Sequence, residues 1–169
     1  MAYQQHVADA QGIVARCAII TLSDTRTPDT DTSGQTIRRL LESANHCVAD
    51  YRLLKDDPAA LASAVGELLF NAEVDAILTN GGTGISQRDQ TISVVERVID
   101  QPLPGFGELF RMLSWEQIGS GAMLSRAVGG IARGSKLIFA MPGSTKAVEL
   151  AMIRLILPEL AHLLRELRK

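Results

Sequence analysis

The sequence predicts an α/β domain built on a mostly parallel sheet that lies between layers of helices. Short apolar runs alternate along the chain with longer segments whose apolar residues recur at helical spacing, the pattern of strands joined by crossover helices. The first and third of these runs are apolar almost throughout, as expected of strands covered on both faces. Polar residues or glycines follow each run, which predicts that loops at one edge of the sheet carry the function.

Composition indicates one globular domain. The chain has 169 residues, of which 46% are apolar and 21% charged, and this is enough for a sizeable core. We expect residues 1–13 to form a flexible N-terminal arm and residues 14–169 to form the domain. The formal charge of −2, without a basic stripe, disfavours a nucleic-acid partner. The sequence contains no apolar signal region and no apolar run of membrane-spanning length, so we expect a soluble, cytoplasmic protein.

The first strand and the first helix are predicted in the N-terminal third of the chain. Arg16–Leu22 is a nearly continuous apolar run and predicts a buried strand. Residues 25–33 are crowded with Asp and Thr and predict a loop. A helix follows, for which Ser33 is placed to cap the start. Its apolar residues recur at helical spacing: Ile37, Leu40, Leu41 and Ala44.

The second and third strands are each followed by a predicted helix. Val48–Leu54 predicts the second strand. Asp57 followed by Pro58 predicts a helix start, because proline is favoured in the first helical position after an N-cap. Residues 76–78 predict the third strand. In the helix after it, two residues have capping-box spacing near the start: Ser93 and Glu96.

The C-terminal part is predicted to hold one more strand and a closing helix. Residues 102–107 (PLPGFG) predict a loop, and residues 108–118 a further helical segment. A small, polar and basic stretch over residues 125–134 precedes Lys136–Met141, the last predicted strand. In the closing helix, Pro158 is expected to cause a kink or an interruption, because proline lacks a backbone N–H donor.

The cysteines and histidines carry no recognisable metal motif. Cys17 and Cys47 lie in apolar, strand-like segments and form no C-x-x-C pair. We expect both to be buried free thiols in a reducing compartment. The three histidines are scattered without ligand-like spacing, so no role is assigned to them.

The clearest functional signal is residues 78–91, LTNGGTGISQRDQT. This segment predicts a strand, a glycine loop and the start of a helix. Glycine lets a ligand approach the backbone closely, and successive N–H groups before a helix bind anionic oxygen, most often phosphate. The spacing is neither that of a Walker A loop nor G-x-G-x-x-G, which disfavours a dinucleotide oxidoreductase. A tight strand-to-helix turn is the alternative interpretation of this loop taken alone.

Polar groups follow the other predicted strands as well. Ser23 and Asp24 follow the first strand, Asp56 the second, and residues 142–144 the last. Four such ends at one edge of a sheet indicate a binding site. Two of the carboxylates Asp24, Asp56 and Asp89 could hold Mg²⁺ near bound phosphates, although Asp24 alone could equally cap a turn. The cations expected within reach are Arg88, Arg126, Arg133 and Lys146.

A set of matching sequence blocks spans nearly the whole chain. Gly81-Gly82-Thr83-Gly84, four further residues, Asp89 and Thr91 form the pattern GGTG-x4-D-x-T. The other blocks are residues 21–24 with 33–34, residues 104–108, residues 125–130 and residues 141–146. In this order they resemble the MoaB/Mog family of molybdenum cofactor biosynthesis proteins. Residues 110–119 and the segment MPGSTKA (residues 141–147) resemble the MoaB branch.

The resemblance implies a fold, a substrate and an assembly. The fold would be a three-layer α/β sandwich, usually assembled as trimers or hexamers. The ligand would be molybdopterin, a pterin that bears a dithiolene and a terminal phosphate. Active family members use Mg-ATP to transfer AMP to that phosphate and release pyrophosphate. The resemblance therefore implies Mg²⁺ as cofactor and ATP and molybdopterin as substrates.

The resemblance also assigns residues by position. Asp56 and Asp89 correspond to the two functional aspartates and to the proposed Mg²⁺ ligands. The nucleotide and phosphate loop comprises Asn80, Gly81, Gly82, Thr83 and Gly84. The molybdopterin-binding residues are Ser23, Asp24, Ser125, Arg126, Pro142, Gly143, Ser144 and Lys146. Asn80 stands where many members have Thr, and we expect it to retain the hydrogen bonding.

Two hypotheses of function follow. The first is an enzyme, a molybdopterin adenylyltransferase in which Asp56 and Asp89 handle Mg²⁺ and the reacting phosphates. The second is a catalytically silent oligomer that binds the pterin or a nucleotide as a carrier or scaffold. The retention of both aspartates favours the enzyme, because binding of an anion alone does not require paired carboxylates.

Overall fold

The computed structural model describes Ala10 and residues 12–169. The predicted flexible arm falls mostly on residues outside this range and stays a prediction. The described residues form six strands of one sheet: β1 (Arg16–Leu22), β2 (Cys47–Leu54), β3 (Ala76–Asn80), β4 (Gln101–Pro102), β5 (Val128–Ala132) and β6 (Lys136–Met141). Across the sheet their order is β2-β1-β3-β6-β5-β4.

Parallel pairing dominates the sheet, as the sequence predicts. β1 pairs in parallel with β2 and β3, and β3 pairs in parallel with β6. β5 and β4 extend the sheet with antiparallel pairing. In register, Thr21 of β1 stands beside Asn80 of β3, which stands beside Met141 of β6. The carboxyl ends of these three strands therefore lie at the same level, and the loops after them start side by side.

The two antiparallel strands correct the sequence interpretation of two segments. β5 lies inside the stretch 125–134, and β4 reaches into the segment 102–107, which is not a loop throughout. β5 contains Gly129 and Gly130, which add nothing to an apolar pattern. A side chain at Gly129 would collide with the Phe139 ring on the neighbouring strand. Close packing against β6, and not hydrophobic periodicity, accounts for this strand.

Helices cover both faces of the sheet, so the predicted layered α/β sandwich is confirmed. They are α1 (Thr32–Ser43), α2 (Pro58–Phe70), α3 (Thr91–Glu96), α4 (Pro104–Ile118), α5 (Thr145–Ala151) and α6 (Leu157–Leu167). A 3-10 segment, Gly119–Leu124, follows α4, and a π-helical segment, Met152–Ile156, joins α5 to α6. The π segment ends two residues before Pro158, which confirms the expected interruption of the closing helix.

Two hydrophobic clusters form the core, one on each face. Ile19 of β1 points into the cluster under α1, α4, α5 and α6, and Ile20 points into the cluster under α2 and α3. This alternation accounts for the continuous apolar run of β1, because both faces of the strand are covered. Cys17 is a buried free thiol, as predicted. Cys47 is exposed, contrary to the prediction, because it begins an edge strand.

Capping differs from the prediction at two helices. Asp57 caps α2 through its carboxylate, as predicted. α1 is capped by Asp31 and not by Ser33, which lies one residue inside the helix. α3 begins at Thr91, so Ser93 and Glu96 stand within it and form no capping box.

The predicted helix over residues 108–118 begins earlier than expected. α4 starts at Pro104, in the segment that the sequence suggested was a loop. Proline is compatible with the first helical turn, which explains the difference. Among the residues that the structure describes, no helix is both long and apolar enough to cross a membrane.

Candidate functional site

The loops after β1, β2, β3 and β6 surround a cleft of about 510 Å³ at the carboxyl edge of the sheet. This is the edge at which ligands bind in open α/β sheets. The cleft brings together most of the residues that the sequence suggested: Ser23, Asp56, Gly81, Gly82, Thr83, Gly84, Asp89, Ser125, Pro142, Gly143 and Ser144. It also includes Thr25 and Arg26, which the sequence interpretation did not select.

The glycine loop is built on backbone angles that favour glycine. Gly81 and Gly82 have φ angles of 95° and 61°, in the region that side chains rarely allow. A side chain at Gly81 would also collide with the carbonyl oxygen of Leu22. The N–H of Gly81 donates to the carbonyl of Met141, and the N–H of Thr91 donates to the carbonyl of Gly82. The loop is therefore fixed to β6 on one side and to the start of α3 on the other.

Asn80 is the last residue of β3, directly before the glycine loop, and is fully buried. Its side-chain oxygen accepts a hydrogen bond from the Ser33 hydroxyl at 2.7 Å, and its amide nitrogen donates to the Thr21 hydroxyl at 2.9 Å. The expected hydrogen bonding is thus confirmed. The side chain joins β3 to β1 and α1, and these neighbours separate it from the cleft. Ser33, predicted as a cap, serves in this network.

The environment of Asp56 disfavours the negative charge of its carboxylate. Its Oδ1 atom is buried without a hydrogen-bond partner among the described residues. Burial and the negative charges of Asp24 and Asp89 raise the pKa of this carboxyl above its usual value. Its backbone N–H donates to a carboxylate oxygen of Asp24 at 3.2 Å. Binding of a proton or a cation at Asp56 would therefore stabilise the site.

Asp89 has the opposite environment. Its carboxylate accepts hydrogen bonds from the Ser86 hydroxyl at 2.6 Å and from the Ser86 backbone N–H at 2.9 Å. These bonds, assisted by the positive charge of Arg126, hold the pKa of Asp89 below its usual value. Asp89 is thus a fixed negative charge on the same cleft, in contrast to Asp56.

The predicted cations are distributed differently from the expectation. Arg88 forms an exposed ion pair with Asp24 at 3.7 Å. Arg133 lies over the Phe70 ring, 3.8 Å from its centroid, and does not line the cleft. Lys146 lines an adjoining cavity of about 310 Å³ that shares Ser125 and two other residues with the cleft. Asp24 lies beside the cleft, through its contact with Asp56, and is not among its lining residues.

Among the described residues, Arg26 is the one cation that lines the cleft itself. Its guanidinium donates to Asp31, to the Ser33 hydroxyl and, at 2.8 Å, to the carbonyl of Gly143. Asp31 is fully buried and also accepts a hydrogen bond from the Tyr51 hydroxyl. Burial and the Asp31 carboxylate raise the pKa of Tyr51 to about 12. A polar network therefore fixes the loop after β6 to the start of α1.

The donor set suits Mg²⁺ only in combination with oxygen atoms of a ligand. Within residues 12–169 and Ala10, no three His, Cys, Asp or Glu side chains are grouped to hold a metal. However, Asp56 Oδ1 and the hydroxyl of Thr91 are both buried and have no hydrogen-bond partner among the described residues, and both lie close to the position that a side chain on Gly82 would occupy. Mg²⁺ commonly takes one or two carboxylates together with phosphate oxygens and water. The residues present fit such an ion.

Fold and site together define an α/β protein with a glycine loop and two neighbouring carboxylates, those of Asp56 and Asp89, at the carboxyl edge of its sheet. Residues 18–162 match the domain family described as a probable molybdopterin binding domain. The chain belongs to the MoaB/Mog family of molybdenum cofactor biosynthesis proteins, on its MoaB-like branch.

Individual relatives agree with this assignment. The chain is 51% identical over 170 residues to molybdenum cofactor biosynthesis protein B of Halalkalibacterium halodurans, covering 100% of this chain and 99% of the relative. A crystal structure of a molybdenum cofactor biosynthesis protein B is 52% identical and superposes with a TM-score of 0.89, over 92% of this chain and 97% of that one. The tungsten cofactor synthesizing protein MoaB from Pyrococcus furiosus is 32% identical, with a TM-score of 0.83 over 92% and 98% of the two chains.

Proposed function

We propose that the protein is a molybdopterin adenylyltransferase, which transfers AMP from Mg-ATP to the terminal phosphate of molybdopterin during molybdenum cofactor biosynthesis. The observation that carries the proposal is the pair of aspartates beside the glycine loop. The surroundings of Asp89 lower its pKa and favour the ionised carboxylate. The surroundings of Asp56 raise its pKa and favour a bound proton or cation there. Environments that push two carboxyl pKa values apart are characteristic of catalytic pairs. The names of the relatives support the pathway.

The proposed reaction exchanges one phosphorus–oxygen bond for another. An oxygen of the pterin's terminal phosphate bonds to the α-phosphorus of ATP, the bond from that phosphorus to the bridging oxygen breaks, and pyrophosphate leaves. Such transfers need mainly positioning and neutralisation of developing negative charge. The backbone N–H groups of Gly81–Gly84 are suited to this role because backbone hydrogen bonds join the loop to β6 and to the start of α3.

The aspartates are proposed to act on the phosphates. Asp56 and Asp89 would hold Mg²⁺, which when bound supplies positive charge to the phosphate oxygens. The unpaired oxygen of Asp56 and the hydroxyl of Thr91 are free to accept a new partner. Asp89 would stay ionised throughout, because its two hydrogen bonds from Ser86 stabilise the charged form.

The pterin is proposed to occupy the other side of the cleft. Ser23, Ser125 and the loop over residues 142–144 line that side, and the cavity beside it is lined by Lys146. Arg26 supports this loop through its bond to the Gly143 carbonyl. A lysine and several hydroxyl groups suit a phosphorylated, polar ligand. A cytoplasmic location and the absence of a nucleic-acid partner stay predictions from composition.

The protein is further proposed to be a homo-oligomer, a trimer or a hexamer. The outer face of α4 exposes apolar side chains at helical spacing, and the segments near it add more: Leu109, Met112, Trp115, Ile118, Met123 and Ile153. Such a face is unusual for a monomer and typical of a subunit contact. Size-exclusion chromatography with light scattering measures the subunit number. A monomer at micromolar concentration would contradict the proposal.

The alternative is a non-catalytic carrier that binds the pterin or a nucleotide with the same loop. The same cleft and glycine loop could bind a phosphorylated ligand without transferring a group to it. The two proposals differ in one respect. The enzyme needs both the glycine loop and the two aspartates, whereas the carrier needs only the glycine loop.

A transfer assay separates the two functions. Purified protein is incubated with molybdopterin, Mg²⁺ and ATP labelled at the α-phosphate. The enzyme is expected to produce labelled, adenylylated pterin together with unlabelled pyrophosphate, and omission of Mg²⁺ should abolish both. Binding of pterin by folded protein, without labelled product, would contradict the enzyme and support the carrier.

A further inference from the structure

Arg126 makes an unusual set of contacts behind the glycine loop. Its Nε atom donates to the carbonyl of Thr83 at 2.9 Å, and its Nη2 atom donates to the carbonyls of Gly84 and, at 3.0 Å, of Asp89. One guanidinium group therefore joins both ends of the segment 84–89. Hydrogen bonds from a charged donor are among the stronger ones in proteins.

The segment that Arg126 joins has little other support. Residues 84–88 are exposed, and the Ile85 side chain is 74% exposed. The bonds between Ser86 and Asp89 lie within the segment and do not fix it to the domain. The ion pair of Arg88 with Asp24 spans 3.7 Å and is exposed to solvent, so it contributes little. The position of Asp89 therefore depends strongly on Arg126.

Arg126 does not itself line the cleft, although its neighbour Ser125 does. Its guanidinium group donates three hydrogen bonds to backbone carbonyl oxygens. The backbone of residues 125–126 thus belongs to the side proposed for the pterin, whereas the Arg126 side chain holds the side proposed for the nucleotide. This arrangement differs from direct ligand binding, which the family resemblance implies for Arg126.

We propose that Arg126 is a positioning residue that holds the Gly81–Gly84 loop and Asp89 in one arrangement and couples them to the Ser125 side of the cleft. The inference rests on the proposed function only for its consequence for nucleotide binding; the effect on the loop is independent of it. Lysine cannot replace this role fully, because its single ammonium does not match the planar fork that reaches three carbonyls.

The test uses Arg126→Gln and Arg126→Lys, with Arg97→Gln as the matched control. Arg97 is exposed, lies at the end of α3 and does not line the cleft. Hydrogen exchange of the backbone amides in residues 84–91 is measured on the full-length protein without ligand. Titration calorimetry with Mg-ATP and the transfer assay follow. Circular dichroism and thermal unfolding show whether each variant is folded.

The expected results separate the loop from the function. Exchange in residues 84–91 should be about tenfold faster in Arg126→Gln, intermediate in Arg126→Lys and unchanged in Arg97→Gln, since a charged hydrogen bond commonly contributes a factor of this size. The KM for Mg-ATP should rise and kcat should fall in the same order. If Arg126→Gln does not fold, Arg126→Lys carries the test.

Two results would overturn the inference. Unchanged exchange in folded Arg126 variants would show that the loop does not depend on this side chain. Faster exchange with unchanged nucleotide affinity and turnover would show that the loop position does not matter for the cleft. If the wild-type protein binds no nucleotide, the proposed function fails, and the exchange rates alone then decide whether Arg126 holds the loop.

Discussion

The ionised Asp56 carboxylate is expected to destabilise the ligand-free protein. Its Oδ1 atom is buried without a partner among the described residues, and two other carboxylates raise its pKa. Repulsion between two like charges about 4 Å apart costs about 1 kcal/mol even in a solvent-like environment, and this charge is what the substitution to asparagine removes. Asp56→Asn removes the charge with little change of shape. We therefore predict a gain of about 1 kcal/mol in the free energy of unfolding at pH 7, or roughly 3 °C in Tm.

The pH dependence of this gain provides the sharper test. Because the pKa of Asp56 is raised in the folded state, wild-type stability falls as the pH rises through that pKa. The advantage of Asp56→Asn should be complete above the folded pKa and should disappear as the pH falls below 3.8, the ordinary value. Asp89→Asn should show no gain at pH 7, since the pKa of Asp89 is lowered.

Urea unfolding measured between pH 3 and pH 8 checks this prediction. Asp29→Asn is the matched control, because Asp29 is exposed and the same substitution there should change stability by less than about 0.5 kcal/mol. The reasoning would be refuted if Asp56→Asn were less stable than the wild type at pH 7, or if its gain persisted unchanged at the acid end of the range.

Further predictions concern the loop, the buried network and the ligand. Gly82→Ala should weaken Mg-ATP binding by at least about tenfold in calorimetry, because glycine is needed at its φ of 61° and the new methyl group would meet Thr91. Asp31→Ala should lower the free energy of unfolding by about 3–5 kcal/mol, measured in urea, because it leaves the Arg26 charge unpaired in a buried network. Mg-ATP at 100 times its Kd should stabilise the wild type by about 2.7 kcal/mol in thermal unfolding, and removal of Mg²⁺ with a chelator should abolish most of this shift.

The central strands were predictable because their environment is simple. A strand covered on both faces is apolar over most of its length, and β1, β3 and β6 each contain such an apolar run. The position of the site was predictable for the same reason, since the residues that follow adjacent parallel strands lie together at one edge of the sheet. β5 was missed because its glycines answer contacts that no local pattern encodes: a side chain at Gly129 would meet the Phe139 ring, and one at Gly130 would meet Ile99 and the carbonyl of Gln101.

The support of the site could not be predicted from the sequence. Arg26 contacts Gly143, 117 residues away, and Arg126 contacts Thr83, 43 residues away. Arg26 was not selected from the sequence at all, and Arg126 was selected only as a residue that contacts the ligand, because a sequence does not show which distant carbonyl an arginine reaches. The direct cleft residues were easier to find, because Gly81 and Asp89 belong to one short segment. Cys47 and the cap of α1 were misassigned for a similar reason: edge position and side-chain direction depend on neighbours distant in the sequence.

The most direct test of the central claim compares how the two aspartates affect transfer and binding. The wild type, Asp56→Ala and Asp89→Ala are assayed for adenylyl transfer in single turnovers, and molybdopterin affinity is measured separately by calorimetry. The account predicts that both variants lose most of the transfer rate while their pterin affinity changes by less than about tenfold, because the carboxylates act mainly as charge develops. Transfer at the wild-type rate in both variants, or equal losses of rate and affinity, would contradict it.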